Sequence, residues 1–461
     1  MAFAVALVLL VVGTLLFHFL SPWWFTPIAS NWTTMDQTVN ITFWVTGIVF
    51  VAVNLFMAFA VFRYRWRKGH SAHYEPENKK LEWWLTISTT LGVAAMLAPG
   101  LFVWAKFVQV PQNAAVVEVL GQQWHWSYRF PGADGVLGAT NARLVTPANR
   151  FGMDPNDPRG RDDVLVASPE LHLPIGHPVR VLLRSQDVLH DFTVPQFRVK
   201  MDLVPGMQTY LWFTPTKTGE YDILCEELCG IAHYAMRGRV TIDDERTFKA
   251  WLARYPTFGG TLSMAAADTE AGKTLFTPCV ACHGPSGHGN RELNAPKLAG
   301  QGAWYLQRQL ENFKGGLRGG PDKDIYGKQM IPFAGMLADE TAIRNVTAYI
   351  ETLPDEAAPR TVAGDATRGA VLYRTCAACH GDSGQGLFAT NAPRLAGMSD
   401  WYLARQLQNF KDGTRGSHHH DLYGKQMAMI TLAIPGTQGI DDVLAYINTL
   451  QPKDTRTAMT N

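Results

Sequence analysis

Long uncharged apolar runs crowd the first hundred residues, and the pattern changes character twice after them. Ala2–Leu20 carries no charge, and Ile41–Phe62 and Trp83–Val103 follow it. Each approaches the ~20 residues that a membrane-spanning helix requires. From Val116 to about Ile242 the chain shifts to short β-rich runs split by turn residues: Ala115–Leu120, Val179–Arg184, Gln208–Thr214 and Gly238–Ile242. That spacing predicts a small β-sandwich. The stretch Pro131–Asp163, rich in Gly, Asp, Asn and Pro, reads as a long surface insertion. Past Glu245–Leu262 the pattern turns helical and repeats itself at a constant offset of 97 residues, as from Cys279 to Cys376. Ungapped repetition of that length means a duplicated domain rather than a solenoid.

The expected architecture is therefore multidomain. Two or three transmembrane helices fill residues 1–108, a β-sandwich 109–245, a linker 246–264, and two all-α domains 265–355 and 362–452. Arg63, Arg65, Arg67, Lys68, Lys79 and Lys80 place the loop between the second and third apolar segments in the cytoplasm. Everything after Lys106 then lies outside. No Lys or Arg precedes Arg63, and Ala29-Ser30 is a weak cleavage pair, so the first segment reads as a retained helix rather than a signal peptide. The net charge of +1 gives no reason to expect nucleic acid or a strongly charged partner. Glu82, beside Trp83 and Trp84, has two readings: an interfacial acid in an aromatic belt, or a proton-entry carboxylate.

All six cysteines fall into motifs that hold metal or haem. Cys225-x3-Cys229-x3-His233-x2-Met236, with His190 upstream, offers two thiolates, two imidazoles and a thioether. Tetrahedral zinc would leave the methionine idle, whereas a soft set with an added thioether suits copper. Two thiolates can bridge two coppers, so that one electron spreads over both. Cys279-x2-Cys282-His283 and Cys376-x2-Cys379-His380 read as covalent haem sites, with the histidine as proximal ligand. Such sites are loaded outside the cytoplasm, which agrees with the predicted topology. A thioether as the sixth ligand suits an electron carrier. The repeat selects Met330 and Met427, each 47 residues past its histidine, because Met336 aligns with Ala433 and Met429 with Pro332. His418-His419-His420 has no counterpart in the first repeat and reads as a solvated surface run.

These motifs resemble known families. Asn40–Ile242, with Gly121-Gln122-Gln123-Trp124-His125-Trp126, Asp187-Val188-Leu189-His190 and the Cys-to-Met cluster, looks like subunit II of a haem–copper cytochrome c oxidase. The resemblance implies a cupredoxin-type β-sandwich holding a dinuclear copper centre, CuA. It implies that Cys225 and Cys229 bridge the coppers and that His190 and His233 cap them. Met236 and the Glu227 carbonyl would be weak axial ligands. The Glu227 carboxylate would reach a magnesium ion shared with subunit I. It further implies that Trp124 is the electron-entry aromatic and that Glu82 stands at the mouth of a proton channel. His125 departs from the family, which usually has an aromatic residue there.

Ala265–Leu450 resembles the tandem di-haem class I cytochromes c, which implies two low-spin haem c groups with His/Met ligation. Together these resemblances describe an electron-input subunit in a bacterial inner membrane, its copper and haem domains on the periplasmic side. Subunits I and III, a cytochrome c or quinol-oxidising donor complex, and membrane lipid are its expected partners. A CuA-type nitric oxide reductase subunit, or a stand-alone membrane electron carrier, are the alternatives.

Overall fold

The computed structural model describes residues 2–21, 26–71, 76–146, 148–320 and 322–451. The expected end of the second all-α domain, residue 452, lies outside them. Three helices open the chain: α1 (Ala2–Leu20), α2 (Thr33–Arg63) and α3 (Lys79–Val108). All three are long and apolar enough to cross a membrane. The second and third outrun their apolar cores into polar sequence, and in the third a side-chain cap starts the extension. The Asn78 side chain accepts from the Leu81 N–H and starts α3 ahead of Glu82. α1 packs along α2. Ala29-Ser30, the candidate cleavage pair, is woven into the next domain: Ala29 N–H donates to the Gln196 carbonyl, and Ser30 Oγ donates to the Phe197 carbonyl at 2.7 Å.

Ten strands follow: β1 (Ala115–Gln122), β2 (His125–Phe130), β3 (Val164–Val166), β4 (Glu170–Pro174), β5 (Val179–Ser185), β6 (His190–Val194), β7 (Val199–Leu203), β8 (Thr209–Phe213), β9 (Gly219–Leu224) and β10 (Arg237–Asp243). They form two five-stranded sheets, ordered β3-β2-β1-β5-β8 and β4-β10-β9-β6-β7. β1 runs antiparallel to β2 and parallel to β5. β5 shows the expected alternation, with Val179, Val181 and Leu183 turned inward. Trp126, Tyr128, Phe192 and Phe213 fill the space between the sheets.

β2 breaks the alternation and is buried on both faces. Its outer side is covered by chain that sequence reading assigned to surface and linker. Phe151 and Met153, from the Pro131–Asp163 insertion, form a small second core with Leu120 and Phe258. The expected linker is not loose either. It folds into α4 (Glu245–Leu252) and α5 (Phe258–Leu262), and Trp251 and Phe258 are buried against the sandwich. The signal was present: Asp244 caps α4, and Phe248, Trp251, Leu252 and Tyr255 recur at helical spacing.

A buried ionic cluster ties the insertion to β1 and β2. Arg129 Nε donates to Glu118 at 2.5 Å, its Nη1 donates to Asp163 at 2.9 Å, and Arg184 pairs with the other Glu118 oxygen. Arg129→Met should destabilise the sandwich by about 3–5 kcal/mol, because two buried carboxylates would lose their main cation. Thermal or denaturant unfolding followed at the copper domain measures it. A loss under about 1 kcal/mol would show that the cluster counts no more than a surface pair.

The first helical domain contains α6 (Thr269–Phe276), α7 (Val280–His283), α8 (Ala303–Lys314), α9 (Ile325–Gly335) and α10 (Glu340–Thr352). The second contains α11 (Ala366–His380), α12 (Asp400–Lys411), α13 (Leu422–Thr431) and α14 (Gly436–Ile447). α11 corresponds to α6 and α7 joined. Pro278, which has Thr375 as its counterpart, has no N–H and sits in a 3-10 turn that breaks the first copy. The first and last helices of each copy cross closely at a glycine. A Cβ on Gly272 would stand 2.1 Å from the Asn345 carbonyl oxygen, and one on Gly369 1.9 Å from that of Asp442.

The two copies face each other with a pseudo-twofold relation. Arg308 lies over the Tyr423 ring at 4.5 Å, and Arg405 over the equivalent Tyr326 at 4.4 Å. Arg318 donates to Gln309 at 2.8 Å, while Arg415 donates to the matching Gln406 at 2.7 Å. Each guanidinium also reaches the other copy's glutamine. Such reciprocal pairing is what a twofold interface between like units produces.

Candidate functional site

The expected copper ligands come from one strand end and one loop. His190 opens β6, and Cys225 to Met236 form the connection between β9 and β10. The two sulfurs stand 3.7 Å apart. His190 Nδ1 lies 3.9 Å from the Cys225 sulfur and His233 Nδ1 3.5 Å from that of Cys229. Met236 Sδ is 3.8 Å from Cys229 Sγ, and the Glu227 carbonyl oxygen 3.3 Å from Cys225 Sγ. The six expected ligands are thus gathered at one point, with His190, Cys225 and Cys229 buried. Asp187, whose role sequence reading did not draw out, accepts from His190 Nε2 at 2.8 Å and from the Gln123 N–H at 2.8 Å. A carboxylate on the far ring nitrogen fixes the tautomer that leaves Nδ1 facing the sulfurs. Burial opposes charge on His190, but the contacts with Asp187 and Cys225 outweigh it and raise its pKa. The Cys225–Cys229 contact draws the Cys225 thiol well down and pushes that of Cys229 up, because each sulfur competes for one proton.

Trp124 lies directly beside this loop. Its indole Nε1 donates to the Cys229 carbonyl at 3.1 Å, and Gln123 Nε2 donates to the same oxygen at 2.7 Å. Gly230 permits the approach: it sits at φ +119°, and a Cβ there would lie 3.0 Å from the Trp124 ring. His125, the departure from the family pattern, is buried and held neutral by desolvation and by Arg150 and Arg308. Its Nε2 accepts from Arg150 Nη1 at 2.8 Å.

The haem motifs are built alike. His283 Nδ1 donates to the Pro296 carbonyl at 2.8 Å and His380 Nδ1 to the Pro393 carbonyl at 2.7 Å. Each ring therefore keeps its Nε2 lone pair for a metal. One continuous cavity runs past both motifs and carries Met330 and Met427 on its wall. Met429 packs on the copper-domain core instead. Met336 borders the cavity but is 62% exposed. Arg318 and Arg415 also line the cavity, and each has a buried, unpartnered Nε. Unspent cationic donors beside paired thiols and an oriented imidazole suit a porphyrin bearing carboxylates.

The second helical domain docks on the copper loop. α13 packs against the His233–Ala235 turn. Ala378, Cys379, Met429 and Ile430 join the copper-domain core. Gln426 Nε2 donates to the Trp124 carbonyl at 2.5 Å, and Arg150 covers the Phe388 ring at 4.2 Å. The same cavity ends at Trp124, Ala232 and Ala235. Trp124 is thereby buried to 6% exposure. His418-His419-His420, expected as a solvated run, also meets this domain: His420 Nδ1 lies 2.6 Å from Glu170. The other two expected site residues stand apart. Glu82 is exposed in the first turn of α3, a helix of 30 residues, or ~45 Å, from the copper domain. The Glu227 side chain is half-buried and joins no metal cluster among the described residues.

Fold and site define a membrane-anchored copper-thiolate sandwich joined to two c-type haem domains. Residues 115–242 match the family described as "Cytochrome C oxidase subunit II, periplasmic domain", and residues 269–354 and 366–451 match "Cytochrome c". The "Alternative cytochrome c oxidase subunit 2" of Bradyrhizobium diazoefficiens is 58% identical over 56% of this chain and 94% of its own. The "Cytochrome c oxidase subunit 2" of Cereibacter sphaeroides is 31% identical over 50% of this chain and 82% of its own. "Cytochrome c4" of Azotobacter vinelandii is 32% identical over 39% of this chain and 90% of its own. The chain belongs to the cytochrome c oxidase subunit II family, and its two families imply CuA copper and haem c. The residues present fit both groups.

Proposed function

We propose that this chain is the electron-input subunit of a haem–copper terminal oxidase, and that electrons pass from the first haem domain to the second and then to the copper loop. The observation that carries this order is the docking of α13 and Gln426 on the His233–Ala235 turn and Trp124. The domain nearer the copper in sequence is thus the farther one in the electron path. Cys279, Cys282, His283 and Met330 hold one haem, and Cys376, Cys379, His380 and Met427 the other. His190, Cys225, Glu227, Cys229, His233 and Met236 hold the dinuclear copper. When bound, these groups supply one-electron redox chemistry with little change of geometry. The protein's own part is to exclude water and fix distances. Trp124 receives electrons from the fused domain rather than from a diffusing carrier, because that domain covers it. Fusion also keeps the donor at high effective concentration.

The remaining assignments complete this reading. Subunit I reduces oxygen, with subunit III beside it, and the Glu227 carboxylate reaches a magnesium ion shared with subunit I. A cytochrome c or a quinol-oxidising complex delivers electrons to the first haem domain. α1–α3 lie in a bacterial inner membrane, with the copper and haem domains on the periplasmic side. Purification of the native complex, followed by oxygen and nitric oxide consumption with a reduced donor, tests the function. Oxygen uptake that requires both haems supports it, and turnover of nitric oxide alone refutes it. Glu82 is the proton-entry carboxylate in this reading. Glu82→Gln should slow oxygen consumption severalfold with unchanged haem and copper content. Unaltered turnover across pH 6–9 would return Glu82 to an interfacial role.

A further inference from the structure

The histidine run sits where the second haem domain crosses the copper domain. Glu170 on β4 and Glu220 on β9 belong to one sheet, on either side of β10. The loop between α12 and α13 brings His419 and His420 over them. Ligand atoms of Glu220, His419 and His420, all three exposed, lie within 4.8 Å of one another. The His419 and His420 ring centroids are 3.8 Å apart. Glu170 Oε1 lies 2.6 Å from His420 Nδ1, so that nitrogen carries the proton and Nε2 keeps its lone pair. A carboxylate orienting an imidazole in this way is the usual support of a metal ligand. His418 takes a different part: its Nδ1 accepts the His420 N–H at 3.2 Å. Arg239 Nη1 lies 3.3 Å from Glu220 and pairs with it from β10.

The repeat gives a second, independent indication. The first haem domain has the same fold but carries Asp322 and Lys323 where the second has His419 and His420. The imidazoles occur only in the copy that faces the copper domain. We propose that His419, His420 and Glu220, with Glu170 orienting His420, bind a divalent cation of the zinc class across the two domains. Two imidazoles and a carboxylate, with a position left for water, suit such an ion better than calcium or magnesium. The ion would clamp the second haem domain on the copper loop. This proposal rests on the domain contact and not on the direction of electron flow.

The test uses the full oxidase complex, loaded with copper and haem, stripped of loose metal by a mild chelator and titrated with Zn²⁺ alone. Bound zinc is counted by elemental analysis, and hydrogen exchange is followed across residues 417–421. One saturable zinc per chain should bind to the native protein and slow exchange there. It should be lost in the His419→Gln/His420→Gln double variant and weakened at least tenfold in Glu220→Gln, whose side chain is partly exposed and keeps an amide oxygen to accept from Arg239. Orienting partners are worth about 10–100-fold in affinity, so Glu170→Gln should also weaken it. Equal zinc content and affinity in native and variant complexes, or no zinc-dependent protection in the native one, would overturn the proposal.

Discussion

Met427→His should lower the potential of the second haem domain by tenths of a volt and starve the copper while the first domain fills normally. Replacing thioether by imidazole moves a haem toward the reducing end of the ~0.8 V that axial ligands span. A drop of about 0.2 V shifts a one-electron equilibrium about a thousandfold, since 59 mV is tenfold. The two haem domains share one cavity and a reciprocal interface, so they equilibrate with each other before the copper. Met330→His should act one step earlier, with the first domain itself accepting poorly from its donor. Met336→Leu and Met429→Leu should leave both potentials almost unmoved. Met429 packs on the copper core, and a swap of similar volume costs under about 1.5 kcal/mol. Redox titration of the four variants decides between the methionines. A strong shift in Met336→Leu with none in Met330→His would show that the repeat selects the wrong residue.

Cys229→Ser should abolish the mixed-valence copper signal while both haems stay attached. The Cys229 sulfur stands 3.7 Å from Cys225, 3.5 Å from His233 Nδ1 and 3.8 Å from Met236 Sδ, so it touches three of the other ligands. Serine keeps the size but supplies a hard oxygen in place of a soft thiolate, and copper bridging is lost. The Cys229 carbonyl still accepts from Trp124 and Gln123, so the loop should keep its shape. Metal analysis together with electron paramagnetic resonance measures the effect. Two coppers per chain persisting in the serine variant would refute the bridging role.

The sequence carried the chemistry further than the packing. Cysteine spacing marked the three clusters that the fold gathers, because thiolates meant to share one metal or one porphyrin must lie within a turn or a short loop. The 97-residue register singles out Met330 and Met427, because duplicated folds place equivalent residues at equivalent positions, and both line the cavity beside the haem motifs. Strand positions came within a residue or two for β5 and β10, whose inward residues alternate with period two. Contacts between distant segments were not legible. Nothing local marks Gln426 as the partner of Trp124, 302 residues away. Likewise the burial of Phe151 and Trp251 depends on which face of β2 needs covering, and that is settled only by the closed sandwich. His125 read as a departure from the family. In the fold it is the neutral acceptor that positions Arg150 against the second haem domain.

The order of the electron path is the central claim, and one measurement tests it most directly. A photoactivated donor is fired at the native and Met427→His complexes, and haem and copper absorbances are followed in time. In the variant, the first haem domain should be reduced at the native rate and the copper at least tenfold more slowly. Copper reduction at the native rate in Met427→His, with its lowered haem potential confirmed by titration, would contradict the path through the second domain.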